Sequence, residues 1–313
     1  MGKTEVVMKA IRLKPVYVKS IWAGNKLQRI RNLPKEGIGI SREICAYKNS
    51  ENIIAEGEYT GKSIKELIDN NHKELMGDDP NDQLIRVAYI DAIEDLSIQV
   101  HPKEEEAKKV QDYEKSESWY ILEAEEGAYI TAGTAIDNKK LLRQAAENGT
   151  LEKYINRISV KEGDFVLIPA GMLHACGKNM LVIEIGSFGG VTYRIYDYGR
   201  PRPLDLDKSF LILDPTLQCS IRHFPLPSVP NNTLKMGVEH ELFHVEVIDI
   251  SGEIEIKSDE HYYVLTCVKG NCSVECEGES HSLSYTETLL IPASSADVKI
   301  KGYCRVLKSY YPR

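Results

Sequence analysis

Period-two alternation of apolar and polar residues dominates this chain, and helical periodicity is confined to a few short stretches. From residue 239 onward the alternation is nearly continuous: Phe243-His-Val-Glu-Val-Ile-Asp-Ile250, Glu253-Ile-Glu-Ile256, Tyr262-Tyr-Val-Leu-Thr266, Ser273-Val-Glu-Cys276 and Thr288-Leu-Leu-Ile-Pro292. Successive side chains of a strand leave opposite faces, so this pattern predicts half-buried strands. Turn signals between the segments predict a small antiparallel sandwich or barrel. Further upstream, strands are expected at Ser159-Val160, Phe165–Ile168, Met180–Ile185 and Thr192–Tyr196. Ser63–His72 reads as a helix, with Ser63 as cap and Glu66 at capping-box spacing. Asn138–Asn148 carries an apolar stripe at Leu141, Leu142 and Ala145 with Gly149 as its stop, and Thr150–Arg157 reads as a second short helix. The irregular run Phe224–Asn232 reads as a connection between modules.

Within this β-rich pattern one segment carries chemistry: Gly163-Asp-Phe-Val-Leu-Ile-Pro-Ala-Gly-Met-Leu-His174. A turn glycine opens it, an apolar strand follows, Pro169 and Gly171 break the strand, and His174 comes three residues later. Upstream lie Gln99-Val-His101-Pro102 and, in Lys115-Ser-Glu-Ser-Trp-Tyr120, Glu117. Gln99 and His101 are two apart, so on a strand they share a face. An amide oxygen, two imidazoles and a carboxylate suit a divalent ion such as Zn²⁺ with one position left open. A lone histidine on a strand is ordinarily structural, and it is the fixed spacing of glycines, proline and histidine that sets this one apart. The segment Gly278–Pro292 echoes Gly163–Pro169, but Ala293-Ser-Ser-Ala296 follows it in place of glycine and histidine. A second barrel of similar architecture without a metal is therefore expected.

A chain of 313 residues allows one large or two modest domains, and 27% charged residues mark it as globular. No apolar run approaches the ~18 residues of a membrane span. The start, Met1-Gly-Lys-Thr-Glu-Val-Val7, lacks the apolar core of a signal peptide, so residence in the cytoplasm is expected. The seven cysteines include no CxxC pair, which favours reduced, mostly buried thiols. A net charge of −8 argues against nucleic acid as a partner, although it permits a local basic pocket for a small anion.

Four segments resemble type I mannose-6-phosphate isomerases, zinc-dependent cupins, and most closely their short bacterial form: Ile21-Trp-Ala-Gly-Asn-Lys-Leu27, Asp95-Leu-Ser-Ile-Gln-Val-His-Pro102, Lys115–Leu122 and Pro169-Ala-Gly-Met-Leu-His-Ala-Cys-Gly-Lys178. A fifth, Thr192-Tyr-Arg-Ile-Tyr-Asp-Tyr-Gly-Arg200, resembles the family's Thr-Tyr-Arg signature. The likeness runs from about residue 10 to the C-terminus. It implies a mainly β protein of two cupin-like (jelly-roll) barrels with a small helical insertion about 138–156. The metal-binding domain would span 1–223, and a metal-free cupin-like domain 239–313. It implies one Zn²⁺ per chain on Gln99, His101, Glu117 and His174, with Lys115 binding the phosphate of a sugar phosphate and Arg194 beside the substrate. The implied reaction interconverts mannose 6-phosphate and fructose 6-phosphate through a cis-enediol. For its proton transfer the nearest candidate is Glu184, which could equally orient a metal ligand.

Some positions depart from the family pattern. Ile40 and Arg42 stand where the family has a carboxylate and an aromatic ring, Ala88 replaces a lysine, and Gly190 replaces an aspartate. These losses motivate two other expectations: a catalytically weakened sugar-phosphate-binding or regulatory cupin, or an isomerase of a different sugar.

Overall fold

The alternating segments fold as antiparallel strands, and the chain gathers into two compact units, one of residues 17–41 and 88–223, the other of the remaining described residues. This computed structural model describes residues 7–34, 36–219 and 221–312. The first six residues, part of the stretch on which the leader reading rests, lie outside them.

In the unit of 88–223, a five-stranded sheet runs in the order Tyr193–Tyr196, Ile98–Val100, His174–Cys176, Tyr129–Thr134, Ile155–Ser159. Its two faces differ as period-two alternation demands. Ile98, Val100, Ala175 and Ile195 leave one face and pack with Leu142, Ala146 and Phe210. Those three come from the helices Lys139–Glu147 and Leu206–Ile212, which cover that face. The other face carries Gln99, His174 and Arg194. Ile221–His223, Asp164–Ile168, Glu117–Ala124 and Met180–Gly186 lie side by side in a second sheet. It contributes Trp119, Ile121, Val166, Ile168 and Val182 to a core shared with Ile130, Ala132 and Met172.

Local signals account for the helices. Ser63 caps Ile64–Asn70 by accepting from Glu66 N at 3.0 Å, and Asn138 caps Lys139–Glu147 by accepting from Leu141 N at 3.0 Å. The helix expected over Thr150–Arg157 is corrected: only one 3₁₀ turn forms, at Leu151–Tyr154, and Ile155–Ser159 is a strand paired with Tyr129–Thr134. A short helix offers few hydrogen bonds of its own, whereas the waiting edge of Tyr129–Thr134 offers a full ladder.

The other unit holds a six-stranded antiparallel sheet with the strands Thr233–His240, Phe243–Ile256, Val298–Tyr310, Tyr263–Cys276 and Glu279–Ser284 in order; Thr288–Ile291 also pairs with Tyr263–Cys276. Segments that read as separate short strands join here into long ones, Phe243–Ile256 and Tyr263–Cys276. Glycines permit the continuity. Gly270 has φ +73°, and a Cβ there would lie 2.2 Å from the Tyr303 carbonyl oxygen. All seven cysteines are free, six buried and Cys219 half-buried. Among the described residues no helix is long and apolar enough to cross a membrane.

Arg305 is almost wholly enclosed in this unit. Its guanidinium donates to both Asp249 oxygens, at 2.7 and 2.9 Å, and to the carbonyls of Phe224 (2.5 Å) and Pro225 (2.9 Å). A buried charge is tolerated when its partner and hydrogen bonds are all present. Asp249→Ala should therefore cost about 3–5 kcal/mol, read as a lowered midpoint in denaturant unfolding; a loss below 1 kcal/mol would show the pair to be dispensable.

Candidate metal centre

Strand register gathers the polar side chains of the 88–223 unit. Gln99 lies directly opposite His174 on one neighbouring strand and opposite Arg194 on the other, so the three leave the same face. In the second sheet, Glu117 is opposite Ile168 and Gly186, and Trp119 is opposite Glu184. Two-residue spacing puts Glu117, Trp119 and Glu184 on one face. The Trp119 ring meets the His174 ring edge-on at 5.7 Å, so the two polar faces look at each other. Gly186 has to lack a side chain: a Cβ would stand 2.5 Å from the Ser116 carbonyl oxygen. The Pro169–Gly171 turn is docked by Gly171 N, which donates to His101 O at 2.9 Å, and this ties the approach to one histidine to the backbone of the other.

The centre is an assembly of acceptors. His101 donates from Nδ1 to Val191 O at 2.9 Å, and His174 from Nδ1 to Met172 O at 2.9 Å. A neutral imidazole that donates from Nδ1 keeps its lone pair on Nε2. Both Nε2 atoms face Glu117, His101 at 3.4 Å from Oε2 and His174 at 3.3 Å from Oε1. Burial, with the Lys115 ammonium nearby, pushes His101 down to about 3, so its approach to Glu117 is lone pair against lone pair and not an ion pair. Burial alone would raise the Glu117 carboxyl, but the Lys115 ammonium, 2.7 Å away, holds it well below its usual range. Neither Glu117 oxygen has a well-aligned hydrogen-bond donor, although both are buried. Two lone pairs and a carboxylate, their ligand atoms within 4.8 Å of one another, form a group able to hold a metal ion.

Around this trio lie the other expected residues. Gln99 directs its amide nitrogen at His174 Nε2, 3.4 Å away, and turning the amide over presents its oxygen instead. Lys115 Nζ is 2.7 Å from Glu117 Oε2, 3.0 Å from His101 Nε2 and 3.6 Å from Glu184 Oε1. Arg194 donates from Nη1 to Pro203 O at 2.9 Å, while its buried Nε finds no hydrogen-bond partner. Burial lowers the pKa of this guanidinium, and Arg202 adds to the effect.

The departures from the family pattern have local partners. Ile40 packs against the core that contains Trp22 and Trp119. Arg42 donates to Ser50 Oγ at 2.7 Å, and Ala88 is a buried position in the strand Arg86–Ala92. Gly190 N donates to Asp112.

Sequence reading passed over the scaffold behind Glu117. Ser187 Oγ accepts from Ser116 N at 2.9 Å and donates to Glu114 O at 2.8 Å, and Ser116 Oγ donates to Glu114 Oε1 at 2.7 Å. The available signal was weak: two small hydroxyl residues flanking a carboxylate strand.

Three comparisons bear on the chain. Residues 233–311 match the family model described as mannose-6-phosphate isomerase, cupin domain. The Bacillus subtilis protein YvyI, provisionally named a mannose-6-phosphate isomerase, is 32% identical over 312 residues, covering 96% of this chain and 98% of its own. Mannose-6-phosphate isomerase ManA of the same organism is 28% identical over 310 residues, with 95% and 97% covered. A crystal structure of mannose 6-phosphate isomerase from Bacillus subtilis superposes with a TM-score of 0.89 at 31% identity, over 97% of this chain and 100% of that one.

Metal analysis of purified variants tests the centre. His101→Ala and His174→Ala should each lose most of the bound metal, since a donated imidazole has no substitute beside it. Unchanged metal content in both variants would dismiss the site.

Proposed function

The chain belongs to the mannose-6-phosphate isomerase family, and from that premise we propose that it interconverts mannose 6-phosphate and fructose 6-phosphate through a cis-enediol, using one Zn²⁺ per chain. The observation that carries this reading is the buried convergence of His101, Glu117 and His174, with Lys115 and Glu184 alongside and Arg194 in register with Gln99. In this reading the trio and Gln99 hold the ion in the 88–223 unit, and the C-terminal cupin-like module is metal-free. Imidazole, carboxylate and amide donors with an open position suit zinc. When bound, such an ion supplies Lewis acidity to the substrate oxygens.

The rest of the work falls to this chain's own side chains. Isomerisation moves a proton between C1 and C2, and Glu184 is the base that moves it. Its position 3.6 Å from Lys115 and its partial burial support that role. Arg194, with an unpartnered Nε, offers a planar donor to an oxygen that becomes negative along the path. Lys115 binds the anionic substrate. Its contacts with Glu117 and His101 support a position beside the candidate ligands, where an ammonium also offsets the developing enediolate charge. The partner is a small sugar phosphate, and the enzyme works in the cytoplasm.

The weakened-cupin alternative gains nothing from the departures: Ile40 serves packing and Arg42 has a local partner. Both leave the ligand trio and its charged neighbours in place.

Two variants separate turnover from metal binding. Arg194→Ala should keep its metal and lose about a hundredfold in turnover, the scale of one positioned donor. Glu184→Gln should lose on the order of 10²–10⁴-fold and should stop exchange of the substrate C2 hydrogen with solvent. A coupled assay for fructose 6-phosphate and a deuterium-exchange spectrum read both. Undiminished isomerisation by either variant removes that residue from the mechanism.

A further inference from the structure

We propose that Asp112 is a positioning residue for the metal centre: its carboxylate anchors the Gly190–Val191 backbone, and the Val191 carbonyl in turn aims the ring of His101. This rests on the reading of His101, Glu117 and His174 as metal ligands.

Asp112 is buried, and its partners are backbone groups. Oδ2 accepts from Val191 N at 2.7 Å and from Gly190 N at 3.1 Å, and Oδ1 is 3.4 Å from Gly190 N. No Lys, Arg or His lies in ion-pair range of it among the described residues. Burying a carboxylate without a cation is unfavourable unless its hydrogen bonds are good, so a side chain held this way is set for a purpose.

The purpose is visible one residue further on. Val191 O accepts from His101 Nδ1 at 2.9 Å, across 90 residues of sequence. His174 is supported differently. Its Nδ1 donates to Met172 O, only two residues away in the turn that leads to its own strand. The aim of His174 is therefore local, whereas the aim of His101 depends on where a distant loop stands. That loop is laid rung by rung along the segment that leads to Glu117. Ser187 N donates to Ser116 O at 2.9 Å, and Gly189 N donates to Glu114 O at 3.0 Å. A Cβ on Gly189 would stand 2.3 Å from the Tyr113 carbonyl oxygen, so the loop follows this segment closely. Asp112 supplies the last rung. With it, the Val191 carbonyl is held in place opposite His101 Nδ1. Without it, the ring can rotate, and the Nε2 lone pair loses its aim at Glu117.

The loss of an outer partner of a ligating histidine typically weakens metal affinity about ten- to a hundredfold. Full-length protein stripped of metal with a chelator is titrated with Zn²⁺ against a chromophoric competitor. Co²⁺ then serves as a spectroscopic probe of ligand geometry, and melting of the metal-free form controls for folding. Asp112→Ala, one step removed from the histidine's own partner, should bind Zn²⁺ up to about tenfold more weakly and shift the visible Co²⁺ bands. Asp112→Asn keeps an acceptor oxygen but not the charge, and should lose severalfold. A carboxylate with only a structural role would lower the melting temperature of the metal-free form and leave affinity and spectrum unmoved. Wild-type affinity and an unshifted spectrum in both variants overturn the proposal; if Asp112→Ala does not fold, the same result in Asp112→Asn alone overturns it. A wild-type protein that binds no Zn²⁺ brings down the metal reading itself, and this inference with it.

Discussion

A buried carboxylate facing two imidazole lone pairs is unstable unless a cation stands among them, and the architecture of the 88–223 unit is arranged around that requirement. Glu117 and the two Nε2 atoms are withdrawn from water, so solvent cannot relieve their mutual repulsion. Lys115 supplies one positive charge beside them, and ligand atoms within 4.8 Å of one another suit a stronger one. A surface arrangement of the same residues would bind a metal weakly, because water would compete at each ligand. Here the surrounding packing would do part of the work of binding by keeping the candidate ligands dry and aimed.

Register is the means by which the fold meets that requirement. Gln99, His174 and Arg194 stand in one row because their strands pair at those residues, and a slip of one residue would send all three to the helix-covered face. Glu117 and Glu184 are fixed in the same way across the facing sheet. Gly186 lets the backbone come close to Ser116 and Glu117 where a side chain would have pushed them away, and Gly171 takes the φ of +88° that turns the chain toward His174. Gln99, Glu117 and His174 are each carried by a strand, and His101 follows directly on the strand Ile98–Val100.

Much of this was legible in the sequence, for physical reasons that can be named. Two-residue alternation follows directly from the strand's geometry, so the sheets could be read. Ser63 with Glu66, and Asn138 ahead of Leu141, announce helix starts because side-chain caps require particular residue types. The turn Pro169-Ala-Gly171 ahead of His174 was legible because only a few residues can make such a turn. Two features were not. The start of the strand Ile155–Ser159, as far as Arg157, reads as helix because pairing with Tyr129–Thr134 overrides weak local preference. The anchoring of Val191 by Asp112 has no sequence signature, since its acceptor chemistry meets a backbone N–H, which nearly every residue possesses.

Isomerisation, as proposed, depends on a single metal held by His101, Glu117 and His174. Stepwise addition of Zn²⁺ to metal-free enzyme, with fructose 6-phosphate conversion followed at each step, tests this most directly. The rate should begin near zero, rise in proportion to added metal and level off at one equivalent per chain. Full activity in the metal-free protein, sustained in the presence of chelator, would contradict the account.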